Sequence, residues 1–415
     1  MPPRRRVKSR PSLIDGFTAG AMATPSQPTG SLPRPSAFRD RKRLGWLLSV
    51  IGPGLAVIGT AAHSLGASSQ LWYFVPLLMF YVGVPLLDAL LGEDLTNPPE
   101  DQLDRLEADP YYRRILYATL PALWASMLFN CVFLATHDLP LASWIATVLA
   151  TGAVLGFGLN LSHELGHKQD RLARKVALFN TALGAYGHFS IEHNRGHHRH
   201  VSTPEDPASA KMGESIYRFV LREMPGAFVR AWRLESGRLR RLGRPAWHIG
   251  NEILQAGFVT LLLHGTLIAV FGRPMVPVLL LVCFWGAFQL TSANYIEHYG
   301  LKRRRGPDGR YEACHPQHSW NSNHLVSNLL VFHLQRHSDH HAHPGRSYQS
   351  LRDFPDLPTL PSGYFGMFVL AYVPPLWFAV MDPLVVSATA RDATRINFLP
   401  RRRDALLRRH GLAAA

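Results

Sequence analysis

Residues 141–167 read LASWIATVLATGAVLGFGLNLSHELGH: twenty-two residues without a Lys, Arg, Asp or Glu (141–162), then His163-Glu164-Leu165-Gly166-His167. A helix needs roughly 20 apolar residues to cross a bilayer, so 141–162 is long enough. The polypeptide then presents two imidazoles four residues apart, on one helix face about one turn from each other. Five more stretches share the charge-free character: 45–66, 71–87 (extendable to 91 past Asp88), 115–136, 253–272 and 274–296. Six such runs in one chain override the two or three soluble domains that 415 residues would otherwise suggest. The mean hydropathy of −0.02 hides them because long charged segments lie between.

The loops orient the bundle. Lys and Arg collect in cytoplasmic loops. With the N-terminus inside, the outer connections are 67–70, 137–140 and Arg273, which hold one basic residue between them. All other Lys and Arg fall inside, in 1–44, 92–114, 163–252 and 297–415. This also accounts for the net charge of +15. Nucleic-acid binding is disfavoured, because the basic residues scatter over every inner segment and no known nucleic-acid motif accompanies them. Residues 1–44 read as a disordered basic tail, 45–390 as the membrane domain, and 391–415 as a basic C-terminal tail, with both termini cytoplasmic in an inner-membrane protein. Residues 176–191 and 364–380 are apolar but are expected at the membrane surface. In the latter, Pro374 and Pro375 break the run, and a seventh span would carry Arg401, Arg402 and Arg403 outside.

Four histidine clusters lie on the inner side by this topology: His163/His167; His193, His197 and His198 within Glu192–His200; His298 after Glu297; and His337, His340 and His341. The spacing i, i+4 recurs in His163/His167, His193/His197 and His337/His341. These nine imidazoles exceed what one metal takes, since tetrahedral zinc has four ligands. They suit two ions with four or five each. Imidazole alone does not choose between iron, zinc, copper and nickel. His163-Glu164-Leu165-Gly166-His167 also matches the HExxH pattern of zinc proteases, but a single zinc leaves the other three clusters unused. A membrane metal carrier is disfavoured too, because carriers place their polar ligands near the midplane. Cys131, Cys283 and Cys314 form no CxxC pair, so the chain holds no iron–tetrathiolate motif.

The blocks His163-Glu164-Leu165-Gly166-His167-Lys168, Glu192-His193-Asn194-Arg195-Gly196-His197-His198, Asn294-Tyr295-Ile296-Glu297-His298-Tyr299-Gly300 and Leu334–Pro344 resemble the signatures of the integral-membrane alkane 1-monooxygenases. Thr203–Pro207 and Ser319–His324 are similar to that family as well. The resemblance runs from about residue 44 to the 380s. It implies an all-α integral membrane protein, with six transmembrane helices and a cytoplasmic helical cap holding two non-haem irons on the nine histidines. It implies O2 as co-substrate, medium- or long-chain n-alkanes hydroxylated at the terminal methyl, and electrons from rubredoxin and its nicotinamide-dependent reductase. Without CxxC pairs the rubredoxin must be a separate protein. A fatty-acyl desaturase or hydroxylase of the same architecture is the alternative, separated by its product. Glu164, Asp206, Glu297 and Asp339 are expected to accept the far N–H of ligand imidazoles, and Asp88 is a further candidate at a span end. Phe80 and Trp124 are candidates to bound the substrate channel. His200 stands where the family often has Asp; His63, His264, His333 and His343 are left outside the ligand set.

Overall fold

A computed structural model describes residues 38–413. Six helices long and apolar enough to cross a membrane cover the expected runs: α1 (Leu47–Ser64), α2 (Gln70–Leu91), α3 (Pro110–Thr136), α4 (Leu141–Gly166), α7 (Glu252–Phe271) and α8 (Met275–His298). Between α4 and α7 lie α5 (Arg171–Leu183) and α6 (Ile216–Arg241). After α8 come α9 (Leu325–Leu330), α10 (His337–Ala342), α11 (Tyr364–Ala371), α12 (Pro374–Ala388) and α13 (Arg403–His410). Among the described residues there are no strands, only isolated bridges.

Local chemistry places the helix starts. Asp109 accepts from Tyr111 N and precedes Pro110 at the first position of α3, where a missing N–H costs nothing. Asn251 accepts from Ile253 N and Leu254 N to begin α7. Leu261 and Leu280, 75% and 66% exposed, face outward where lipid would cover them.

The two central spans, α4 and α8, pack through glycine. A Cβ on Gly152 would fall 2.7 Å from Trp285 Cβ, and one on Gly156 would fall 2.6 Å from Gln289 Cβ. A Cβ on Gly286 would meet Leu155 at 2.8 Å. Small residues let backbones approach where no hydrophobic effect drives helices together. Buried polar groups add to this. Asn130 on α3 donates to Ala56 O and Thr151 Oγ1, both at 3.0 Å, and accepts from Thr60 Oγ1 at 2.7 Å, tying α1, α3 and α4.

Both α4 and α8 end at the same face, where the remaining helices form a cap. Asp88, near the end of α2, accepts from Val326 N at 2.9 Å and from Ser327 N at 3.0 Å. It thereby caps α9, so its charge holds the cap to the bundle rather than serving an imidazole.

Four segments are drawn more finely by the structure than by the sequence. Residues 38–44 already pack on the bundle: Asp40 accepts from Trp46 Nε1 and Tyr112 Oη, and Arg43 pairs with Asp109. The rest of the expected tail, 1–37, lies outside the described residues. The apolar run 176–191 is not one helix, because α5 stops at Leu183 and Ala185 takes a φ of 53° before the chain re-enters helix at Phe189. Residues 364–380 belong to two helices, α11 and α12, bent by 119°. Pro374 and Pro375 start the second of these, and Phe365, Met367 and Phe368 are buried. The C-terminal basic segment is folded, with Leu406 and Leu407 of α13 buried and Phe398 bridged to Met212.

Candidate metal centre

Helix α4 carries its apolar run straight into the cap, so His163 sits in its last turn and His167 at its C-cap, with ring centroids 5.0 Å apart. The second cluster is shaped differently. Residues His193–His197 form a π-helical turn between Phe189–Glu192 and His198–His200. A π turn closes i to i+5 and occurs often at functional sites. It brings His193 and His198 together, Nε2 to Nε2 at 3.0 Å. His198 and His163 also meet His340 of α10, at 3.2 Å and 2.9 Å between Nε2 atoms. His163, His167, His193, His198 and His340 therefore make one group, with ligand atoms all within 4.8 Å of one another.

The second group is His197, His298, His337 and His341. His337 Nε2 lies 3.1 Å from His298 Nε2 and 2.9 Å from His341 Nε2. Of the three i, i+4 pairs, His163/His167 and His337/His341 stay together. His193/His197 separate, because the π turn rotates the five-residue neighbour His198 into the place a regular helix would give to His197.

All nine rings are in two adjoining nests, with His167 and His198 half-buried and the other seven buried; His198 and His341 ring centroids are 4.5 Å apart across the boundary. Burial, then the charge of surrounding imidazoles, pushes His193, His198, His337, His340 and His341 well below the usual histidine range. His167 is lowered to about 3 by burial and by Lys168. Neutral rings keep a lone pair for a cation. Nε2 of His167 and of His197 are buried with no hydrogen-bond partner, the condition of atoms waiting for a metal. Two ligands about 2.1 Å from one ion in cis positions stand about 3.0 Å apart, the spacing seen between the facing Nε2 atoms. The residues present fit two metal ions, with five donors at one and four at the other.

The acids divide into distinct roles. Asp206 accepts from His197 Nδ1 at 2.9 Å and from Ser209 Oγ at 2.6 Å. Arg230 of α6 donates to Asp206 Oδ1 at 2.7 Å and pairs with Glu192. Burial alone would raise the Asp206 carboxyl, but the His197 ring and the Arg230 guanidinium outweigh it and hold the group far below the carboxylate range. Glu297 faces inward: Tyr364 Oη donates to its Oε1 at 2.8 Å, and its Oε2 lies 3.3 Å from His337 Nε2, the nitrogen turned toward the group. Glu164 and Asp339 correct the expectation that each serves a ligand imidazole. Glu164 pairs with Lys168 at 2.6 Å and accepts from Tyr348 N. Asp339 holds Arg346, Arg352 N and His343, outside both groups. Both acids pin the chain beside α4 and α10. Arg230 and Tyr364 went unrecognised in the sequence, for they carry no local motif.

Above the histidines lies a narrow apolar cavity between α4, α8 and α11. Ala153, Phe157 and Asn160 line it at helical spacing, one turn short of His163. A smaller void shares Leu290, Ala293 and Leu334 with it and reaches His163, His193, His337 and Glu297.

Residues 139–371 match the fatty acid desaturase family model. The chain is 49% identical over 382 residues to "Alkane 1-monooxygenase" of Ectopseudomonas oleovorans, covering 91% of this chain and 94% of that protein. It is 48% identical over 367 residues to "Alkane 1-monooxygenase 1" of Alcanivorax borkumensis, 88% of this chain and 91% of that one. It is also 48% identical over 360 residues to "Alkane 1-monooxygenase" of Pseudomonas putida, 86% and 89%. The chain belongs to the alkane 1-monooxygenase family.

Within this alkane 1-monooxygenase family member, Phe80 is fully buried one layer behind the cavity wall, edge-on to Phe157 at 5.4 Å and stacked on Phe365 at 6.4 Å. Trp124 stands apart from the lining residues and donates from Nε1 to Asn180 at 2.7 Å. His200 is half-buried and lies outside both imidazole groups. His333 bonds Tyr348 O, and His264 bonds Leu183 O, each at 2.9 Å.

Proposed function

We propose that this chain is a di-iron membrane monooxygenase that hydroxylates the terminal methyl of medium- and long-chain n-alkanes to 1-alkanols. Bond changes balance as alkane, O2, two electrons and two protons going to alkanol and water. Electrons come from a separate rubredoxin, kept reduced by its nicotinamide-dependent reductase, and an acidic carrier suits the basic inner face. The N- and C-termini and the histidine cap lie on the cytoplasmic side of the inner membrane, as the Lys and Arg distribution favours. One observation carries the reading: two imidazole groups stand at the foot of an apolar cavity that rises between α4 and α8.

Irons held there would supply, with O2, the oxidising power that a saturated C–H bond requires. The rest is positioning by the protein's own residues. The cavity wall of Phe157, Leu290 and Phe365 takes a hydrocarbon and excludes water, leaving its end facing the histidines. Asp206 and Arg230 fix the tautomer and tilt of His197. Tyr364 donates from Oη to Glu297 Oε1 and fixes that carboxyl at the edge of the smaller void. Iron analysis of protein in nanodiscs, with a rubredoxin-coupled assay on n-alkanes, tests the proposal. The expected result is about two irons per chain, one per imidazole group, and 1-alkanol product. One zinc per chain with no oxidation would overturn it, as would double-bond formation in acyl chains with alkanes untouched.

A further inference from the structure

A polar group lines the cavity toward its end remote from the histidines. Gln289 of α8 lines it together with Ala153 and Phe368. Its Oε1 accepts from Tyr81 Oη at 2.7 Å, and its Nε2 donates to Tyr372 Oη at 2.9 Å. Ser292 Oγ stands 3.3 Å from the same Tyr372 Oη. Resting on the alkane-oxidation reading above, we infer that Gln289, clamped between Tyr81 and Tyr372, is the stop that sets how long a hydrocarbon the cavity takes.

Three local irregularities meet at this amide. Tyr81 lies in a π-helical turn of α2, Met79–Gly83. Tyr372 sits at the 119° bend between α11 and α12. Gly156 gives way to Gln289 Cβ, which would lie 2.6 Å from a Cβ on residue 156. The side chain is therefore held from three elements. An amide inside a membrane bundle loses free energy whenever its donors and acceptors go unpaired. An apolar side chain in the same place is free to change rotamer for an incoming methylene, whereas Gln289 gives up two hydrogen bonds to do so. It makes a firm wall.

Its height fits a length gauge. Gln289 precedes His298 by nine residues, about 13 Å along the helix. An extended chain advances about 1.2 Å per bond, so on the order of ten carbons fit between the stop and the histidines. Gln289 lies outside both imidazole groups, so changing it addresses the hydrocarbon and leaves the ligand set intact.

The test uses the full-length protein in nanodiscs with n-alkanes of roughly six to sixteen carbons. Retained hydrocarbon is measured by gas chromatography without reductant, and the product profile with it. Gln289→Ala should raise the longest alkane retained by about three carbons, the room left by Cγ and the amide. Gln289→Leu keeps the bulk but loses both hydrogen bonds and is free to turn aside, so it should raise the ceiling by less than Gln289→Ala does. Tyr372→Phe keeps the ring but frees the amide, so it should extend the upper limit with iron content unchanged. This variant decides the matter if Gln289→Ala fails to enter the membrane. An unmoved ceiling refutes the stop, and so does a parent protein that retains no alkane. If the parent retains alkanes but oxidises none, the activity reading fails while the ceiling is still read from retention.

Discussion

Replacing Asp206 by Asn separates the two metal groups experimentally. Asp206 touches only His197 among the nine imidazoles, through Nδ1 at 2.9 Å. His197 belongs to the group of four. The amide has the carboxylate's shape but half its acceptors and no charge, while four donors converge on it: His197 Nδ1 and Ser209 Oγ at Oδ2, Arg230 Nη2 and Ala208 N at Oδ1. Two donors must face an NH2, whichever way the amide turns, and the imidazole loses its charged partner. Removing such an outer partner costs about 10- to 100-fold in metal affinity, or about 1.4–2.8 kcal/mol. Folding should weaken as well, toward the low end of the roughly 3–5 kcal/mol for breaking a buried pair, because Arg230 keeps Glu192. Chelator competition on the iron-loaded protein, followed by metal counting, is the assay. The variant should release metal from the four-histidine group at a tenth or less of the chelator that strips the parent, and retain the metal of the five-histidine group. Equal loss from both groups, or none, would refute the argument that Asp206 acts through His197 alone.

Stability of the metal-free protein should fall with acid. The folded values of His193, His198, His337, His340 and His341 are depressed. The unfolded chain therefore takes up protons first, and the contribution present above pH about 6.5 is lost below it. The slope is up to about 1.4 kcal/mol per pH unit for each histidine; thermal melts that stay level from pH about 7.5 to 5.5 would contradict this. Glu223 behaves oppositely. Burial and then the Glu192 charge raise it to about 7, so its protonated form favours folding and that benefit is lost as pH rises through about 7. Glu223→Gln, which can still accept from Thr291 Oγ1, should stabilise the protein by roughly 3 kcal/mol at pH about 8.5 and by about half of that or less at pH about 5.5 in paired melts. Phe80→Ala empties a fully buried site behind Phe157 and Phe365. It should cost about 3–5 kcal/mol of stability and let those rings relax, shifting preference toward longer alkanes; an unchanged product profile would remove Phe80 from the channel.

The sequence by itself determined the six spans and the nine converging imidazoles. Both signals are local: a charge-free run of about twenty residues must satisfy its backbone as helix in lipid, and an i, i+4 pair shares a face wherever it sits. It also singled out Asp206, although the His197 contact appears only once the turn after His200 folds back. Tertiary structure decided how the ligands divide. Nothing in Glu192–His200 announces a π turn, yet that one extra residue per turn sends His197 to one group and His198 to the other. It also decided which acids meet imidazoles: Glu164 is closer in sequence to a ligand than Asp206 is, but pairs with Lys168. The cavity, Arg230 on α6 and the Gln289 amide between α2 and α11 exist only as meetings of helices far apart in the chain, and spacing along one helix carries no information about such meetings.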